Sequence, residues 1–252
     1  MEDVLASLAG QHEQLDAVLS ALHDDDWTRA SRCDGWDVRD VVLHLAQTDE
    51  LALASLEGRF AEHLQSVAGS FGAAANVDDG AAALVAAERG QPPVEVHERW
   101  RTGAACLRHA LDDADPHARV TWVAGQLSVH TLATTRLAEA WIHTGDVADA
   151  VGVDVPATGT IQHVAHLAWR TLPYAFDRAG RRLHGAVAFD LRAPDGATWT
   201  FVPPEGVPTT TIRGDALDLC LVAARRVDPA ATGLTGDGPD VAAVLELVRT
   251  YA

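Results

Sequence analysis

The sequence predicts a mainly α protein, with a helical segment over residues 1–182 and a small α/β segment over 183–252. Two observations carry this. Apolar residues recur at helical spacing through most of the first segment, and after about residue 183 the pattern changes to alternating apolar and polar residues.

Residues 2–22 read as an amphipathic helix, with Val4, Leu5, Leu8, Leu15, Val18, Leu19 and Leu22 on one face. The acidic run Asp24-Asp25-Asp26 ends it, and Trp27 opens a connection broken by Gly35. Asp37 is a natural N-cap for a second helix reaching about Leu56, lined by Val38, Val41, Val42, Leu45 and Ala46. Residues 66–91 are rich in Ala and Gly, with little periodicity, and receive no element. Pro92-Pro93 is a break, after which Val94 to about Leu111 is helical. Residues 112–128 read as a loop with a short extended piece at Val120–Val123. Ser128 or Thr131 caps a fourth helix that ends near Gly152, and a fifth runs from about Thr158 to Ala179. Beyond it, apolar–polar alternation on either side of Pro194-Asp195-Gly196 predicts a hairpin. A short strand leading into a helix follows, then a closing helix.

A chain of 252 residues suffices for one large or two small domains. A formal net charge of −17 repels polyanions, which argues against nucleic acid or an anionic membrane as partner. The three cysteines, Cys33, Cys106 and Cys220, are widely spaced and form no CxxC, which disfavours a disulfide framework or a cysteine-based zinc site. Cys33 reads as a turn residue, and Cys106 and Cys220 as core positions. The acidic amphipathic start is unlike a signal peptide, and no apolar run approaches a membrane span. The expectation is a cytoplasmic protein, monomeric or homodimeric.

On the fourth helix, Glu139 and His143 stand four apart and project from one face, a spacing that can chelate a divalent ion. The same spacing also occurs as a modest surface ion pair. The apolar neighbours Leu137, Ala138 and Trp141 favour a charged face that lines a pocket. Asp146, three beyond His143, is a further ligand or a partner that orients the ring. His44 lies between Leu43 and Leu45 on the second helix; a lone histidine there is more often a satisfied core residue than a ligand. Asp40, one turn earlier, is placed to orient it. Taken together, His44, Glu139 and His143 supply two imidazoles and a carboxylate, the three-ligand pattern that leaves a coordination position open. The set accommodates zinc, nickel, iron or manganese.

Two stretches carry a resemblance. DDDWTRASRCDGWDVRDVVLHLAQTDE and ATTRLAEAWIHTGDVADAVG resemble the signatures of the mycothiol-dependent maleylpyruvate isomerase family, within the DinB-like metal-binding four-helix bundles. The first carries the family's leading ligand at His44, and the second its Glu and second His at Glu139 and His143. The region with APDGATWTF and IRGDALDLCLVAARR is similar to the family's small C-terminal α/β domain. The absence of Lys, with a bias to Arg, Ala, Gly and Asp, matches high-GC coding as in actinobacteria. The resemblance implies a DinB-like bundle, a divalent metal (usually zinc) and often mycothiol as a low-molecular-weight thiol.

The expected function is therefore a metal-dependent S-transferase or isomerase acting on a small electrophilic metabolite, with natural-product biosynthesis as one setting. A thiol-independent lyase, hydrolase or cyclase is the alternative, and a non-catalytic metal- or thiol-binding protein the second. His130, His163 and His166 are acid–base candidates beside a packing role, with His166 preferred. Arg136, a turn before Glu139, is either a receptor for a substrate carboxylate or a surface arginine.

Overall fold

Helix α2 (Val38–Leu56) begins where the sequence places it, because Asp37 and Asp40 form a reciprocal cap. The Asp40 amide donates to the Asp37 carboxylate at 2.8 Å, and the Asp37 amide to that of Asp40 at 3.3 Å. The computed structural model describes residues 1–68, 77–123 and 125–250. Two compact units result, Met1–Val155 and Pro156–Ala252.

In the first unit, α1 (Glu2–Ser20), α2, α5 (Pro93–Asp113) and α6 (Val129–Val151) form a four-helix bundle in which α1 and α2 each pack on both α5 and α6. Helix α6 opens on a Ser128 side-chain cap to the Thr131 amide and closes at Gly152 in the left-handed conformation, φ 72°. One core cluster joins Leu15, Leu19, Val41, Val42, Leu45 and Trp100; another joins Leu8, Leu107, Leu111, Leu132 and Leu137. Within residues 66–91, where the sequence shows little periodicity, α4 (Val77–Glu88) is a helix, and residues 69–76 lie outside the described residues. The short α3 (Phe60–Ala68) leads into that stretch. The extended piece expected at Val120–Val123 is part of a hairpin, β1 (Arg119–Trp122) with β2 (Gly125–Ser128).

The bundle buries a titratable group at the α1–α5 contact. His12 is 3% exposed, meets Trp100 edge-on, and accepts a hydrogen bond from Arg108 at 2.7 Å. Burial pushes its pKa from 6.5 down to about 3, aided by the charges of Arg108 and Arg136. The unfolded chain therefore takes up a proton at His12 across this window while the folded chain does not. Stability is intact above 6.5 and falls as pH drops toward 3. The expected cost is ~2 kcal/mol between about pH 7.5 and about pH 5. Urea midpoints of the wild type and His12→Asn at those two values should show a smaller pH shift in the variant.

In the second unit, the fifth predicted helix is two, α7 (Ile161–Arg170) and α8 (Leu172–Arg178), because Pro173 starts a new first turn. The division between units falls after Val155 rather than after residue 182. The apolar stripe of α7 (Ile161, Val164, Ala165, Ala168) is the reason: it is buried where α7 packs on α9 (Ala216–Ala223), so these helices share a core with the C-terminal sheet. That sheet has the order β4-β3-β5-β6. β3 (Val187–Arg192) and β4 (Thr198–Phe201) make the predicted antiparallel hairpin, and β3 runs parallel to β5 (Thr210–Asp215). Helix α10 (Val241–Leu247) closes the unit after β6 (Thr235–Asp237), which pairs antiparallel with β5. Gly238, at φ 113°, is required here, since a Cβ would lie 2.2 Å from the Thr209 carbonyl. No helix among the described residues is long and apolar enough to cross a membrane.

Candidate metal centre

The helical period brings Glu139 and His143 to the face of α6 that meets α2, where His44 projects from the opposing helix. His44 Nε2 lies 3.2 Å and His143 Nε2 3.6 Å from the same Glu139 Oε2. The His44 and His143 rings meet edge-to-face with centroids 5.1 Å apart. One ligand atom from each of the three residues falls within 4.8 Å of the others. All three expected ligands are thus brought together. The side chains of His44 and Glu139 each retain 10% exposure, so the centre is lined by protein without being sealed.

The charges around the centre fix its protonation. Asp146 accepts a 2.9 Å hydrogen bond from His143 Nδ1, which leaves Nε2 to face the centre. Burial opposes charging of the His143 ring, yet its bonds with Asp146, Cys33 and Glu139 outweigh that and raise its pKa well above 6.5. Burial likewise opposes ionisation of Glu139, but hydrogen bonds with His143 and His44 and the nearby Arg136 charge hold it well below 4.5. His44 is shifted downward, chiefly by burial. Without a metal, the centre is therefore an anionic Glu139 carboxylate between a neutral His44 and a protonated His143.

Arg136 is not a surface residue. It is 2% exposed, donates from Nε to Asp49 at 3.0 Å and from a terminal nitrogen to Thr48 at 2.8 Å, and its other terminal nitrogen is 3.9 Å from Glu139. Two of its donors are committed within the protein, which is an arrangement for supporting Glu139. Burial pushes the Asp49 pKa up to about 6 against the opposing pull of Arg136. Asp40 does not orient His44. It caps α2 and pairs with Arg89, while the ring beside His44 is that of Trp36, 5.1 Å away.

His130 is the second residue of α6, about 20 Å along the helix axis from His143. His163 and His166 lie on α7 in the second unit, where the His166 ring packs against Trp169 and Phe201 with centroids 5.6 and 5.3 Å away. Of the cysteines, Cys220 is buried as expected and Cys106 is exposed, not core. Cys33, which reads as a turn residue, stands beside the centre on the Nδ1 side of His143: its sulfur donates to Asp146 at 3.5 Å and is 3.9 Å from His143 Nδ1. A bidentate Arg32–Asp149 pair, with both bonds at 2.9 Å, holds its loop on α6.

The fold defines a class, the mainly α DinB-like bundle with a small C-terminal α/β part. Residues 8–148 match the model of the mycothiol maleylpyruvate isomerase N-terminal domain, and the chain belongs to that family. Two uncharacterised proteins of Mycobacterium tuberculosis, Rv0036c and MT0041, are each 32% identical to it over 252 residues, covering 98% of this chain and 95% of theirs. Two crystal structures of mycothiol-dependent maleylpyruvate isomerase, one of a substituted form, share its fold. Their TM-scores are 0.60 and 0.61 at 16% and 15% identity, over 93% of this chain and 92% of theirs.

Proposed function

We propose that the chain is a metal-dependent, mycothiol-using S-transferase or isomerase acting on a small electrophilic metabolite. The observation that carries this reading is the convergence of His44 Nε2, His143 Nε2 and Glu139 Oε2 at a buried but unsealed point. Once an ion displaces the Nε2 proton of His143, two neutral nitrogens and one anionic oxygen are a donor set that zinc accepts, and three protein ligands suit a catalytic rather than a structural site. Family membership favours the thiol as co-substrate.

When bound there, a divalent ion lowers the pKa of a thiol that coordinates it, so that the nucleophile is a thiolate at neutral pH. The protein's own groups prepare this. Asp146 keeps the proton of His143 on Nδ1, away from the centre. Arg136, held by Asp49 and Thr48, keeps Glu139 ionised. Trp36, only partly buried, lays its ring against His44 with centroids 5.1 Å apart. The reading assigns Arg136 to positioning and His166 to packing within its aromatic cluster.

Calorimetric titration of zinc-loaded and apo protein with mycothiol tests it. The expected result is saturable binding to the loaded form and at least a tenfold loss, about 1.4 kcal/mol, in the apo form. Equal binding to both forms, or none to either, would reject the thiol. Metal-dependent turnover without thiol binding would instead favour a lyase, hydrolase or cyclase.

A further inference from the structure

His143 presents two nitrogens to two different groups of ligands. Nε2 faces Glu139 and belongs to the centre described above, whereas Nδ1 faces Asp146 Oδ2 at 2.9 Å and Cys33 Sγ at 3.9 Å. Cys33 Sγ and Asp146 Oδ2 are themselves 3.5 Å apart. We propose that Cys33, Asp146 and His143 Nδ1 form a second cation site, for a thiophilic divalent ion such as zinc or cobalt, on the far side of the His143 ring.

Three properties support it. First, the spacings suit the ion. Zinc–sulfur, zinc–nitrogen and zinc–oxygen bonds in a tetrahedron separate their ligand atoms by about 3.3–3.6 Å; the Cys33–Asp146 separation of 3.5 Å falls in that range, and those of 2.9 and 3.9 Å need only small side-chain shifts to enter it. Second, the ligands are held in place without an ion. Asp146 is 1% exposed on α6, and the Arg32–Asp149 pair and a 3.1 Å bond from the Cys33 amide to Ser31 Oγ hold the cysteine over it. Third, the charges balance. An ion here replaces the protons on Cys33 Sγ and His143 Nδ1, which leave to solvent as two H⁺. With both sites filled, the thiolate, the Asp146 and Glu139 carboxylates and the His143 imidazolate offset two dications, as a buried site demands. The set contains sulfur, unlike the first centre, so it selects softer ions. The inference does not rest on the thiol chemistry proposed above; it shares His143 with that site and takes as a ligand the Asp146 carboxylate that holds the Nδ1 proton when this site is empty.

Cobalt titration of the full-length protein, stripped of metal, tests it. The wild type should take up two equivalents, one of them bringing a thiolate-to-cobalt charge-transfer absorption. Cys33→Ser should take up one equivalent with no such absorption, and Asp146→Asn should bind the thiolate-linked equivalent at least tenfold more weakly. His44→Ala should keep the absorption while losing the other equivalent, which separates failure of the first centre from failure of this one. Saturation of the wild type at one equivalent without the absorption would overturn the proposal. So would an absorption that survives in Cys33→Ser and therefore arises from Cys106 or Cys220.

Discussion

Replacing His143 or His44 with alanine is expected to weaken zinc binding by more than about 100-fold. Loss of an outer partner alone typically costs 10- to 100-fold, and these variants remove a direct ligand from a set of three. Helix content should be unchanged. Alanine is the best helix former, and neither position contributes to the caps at Asp37 or Ser128. Metal analysis and far-ultraviolet circular dichroism of the purified variants check both halves. Unchanged metal content would refute the ligand assignment, while lost helix would show that the histidines act as core residues.

The second large effect lies beneath the centre. Asp49 and Arg136, at 1% and 2% exposure, are the most buried ion pair that supports Glu139. Asp49→Ala leaves a buried guanidinium with only Thr48 and the more distant Glu139 as partners. It is expected to cost about 3–5 kcal/mol of stability. Arg136→Met should cost a similar amount by stranding the carboxylate, whose pKa burial already raises to about 6. The double variant Asp49→Leu, Arg136→Met should recover much of the loss, since an apolar pair replaces a desolvated ionic one. Denaturant unfolding of the three variants measures the coupling; additive losses would show that the pair does not act as a unit. If the double variant is stable, its zinc affinity should still be lower than that of the wild type, because Glu139 has lost the cation that favours its charge.

Much of the fold is legible in the sequence because its signals are local. Asp37 with Asp40, Ser128 and Gly152 mark helix ends through contacts within a few residues, and the structure places those ends there. The hairpin at Pro194-Asp195-Gly196 is likewise read from its own turn. What the sequence hides is non-local. The apolar stripe of α7 predicts a helix but not its partner, so the sequence alone does not show that α7 packs with the C-terminal unit. β6 has only three residues, Thr235–Asp237, too few to show alternation.

The candidate centre follows the same division. Glu139 and His143 pair through helical spacing, whereas His44, 95 residues from Glu139, reads as a lone core-like histidine that the resemblance joins to them. Asp146 is visible at three residues from His143, but Cys33, 110 residues away on a loop, carries no periodic signal. Arg136 looked like a surface or substrate-binding group because its partner Asp49 is 87 residues distant.

X-ray absorption at the zinc edge, on Cys33→Ser loaded with a single equivalent of zinc so that the cysteine site is absent, tests the centre most directly. The account predicts imidazole scattering from two histidines, with nitrogen and oxygen ligands only. A sulfur scatterer should then appear in Cys33→Ser when mycothiol is added. A spectrum without histidine, or one that stays free of sulfur at saturating thiol, would contradict it.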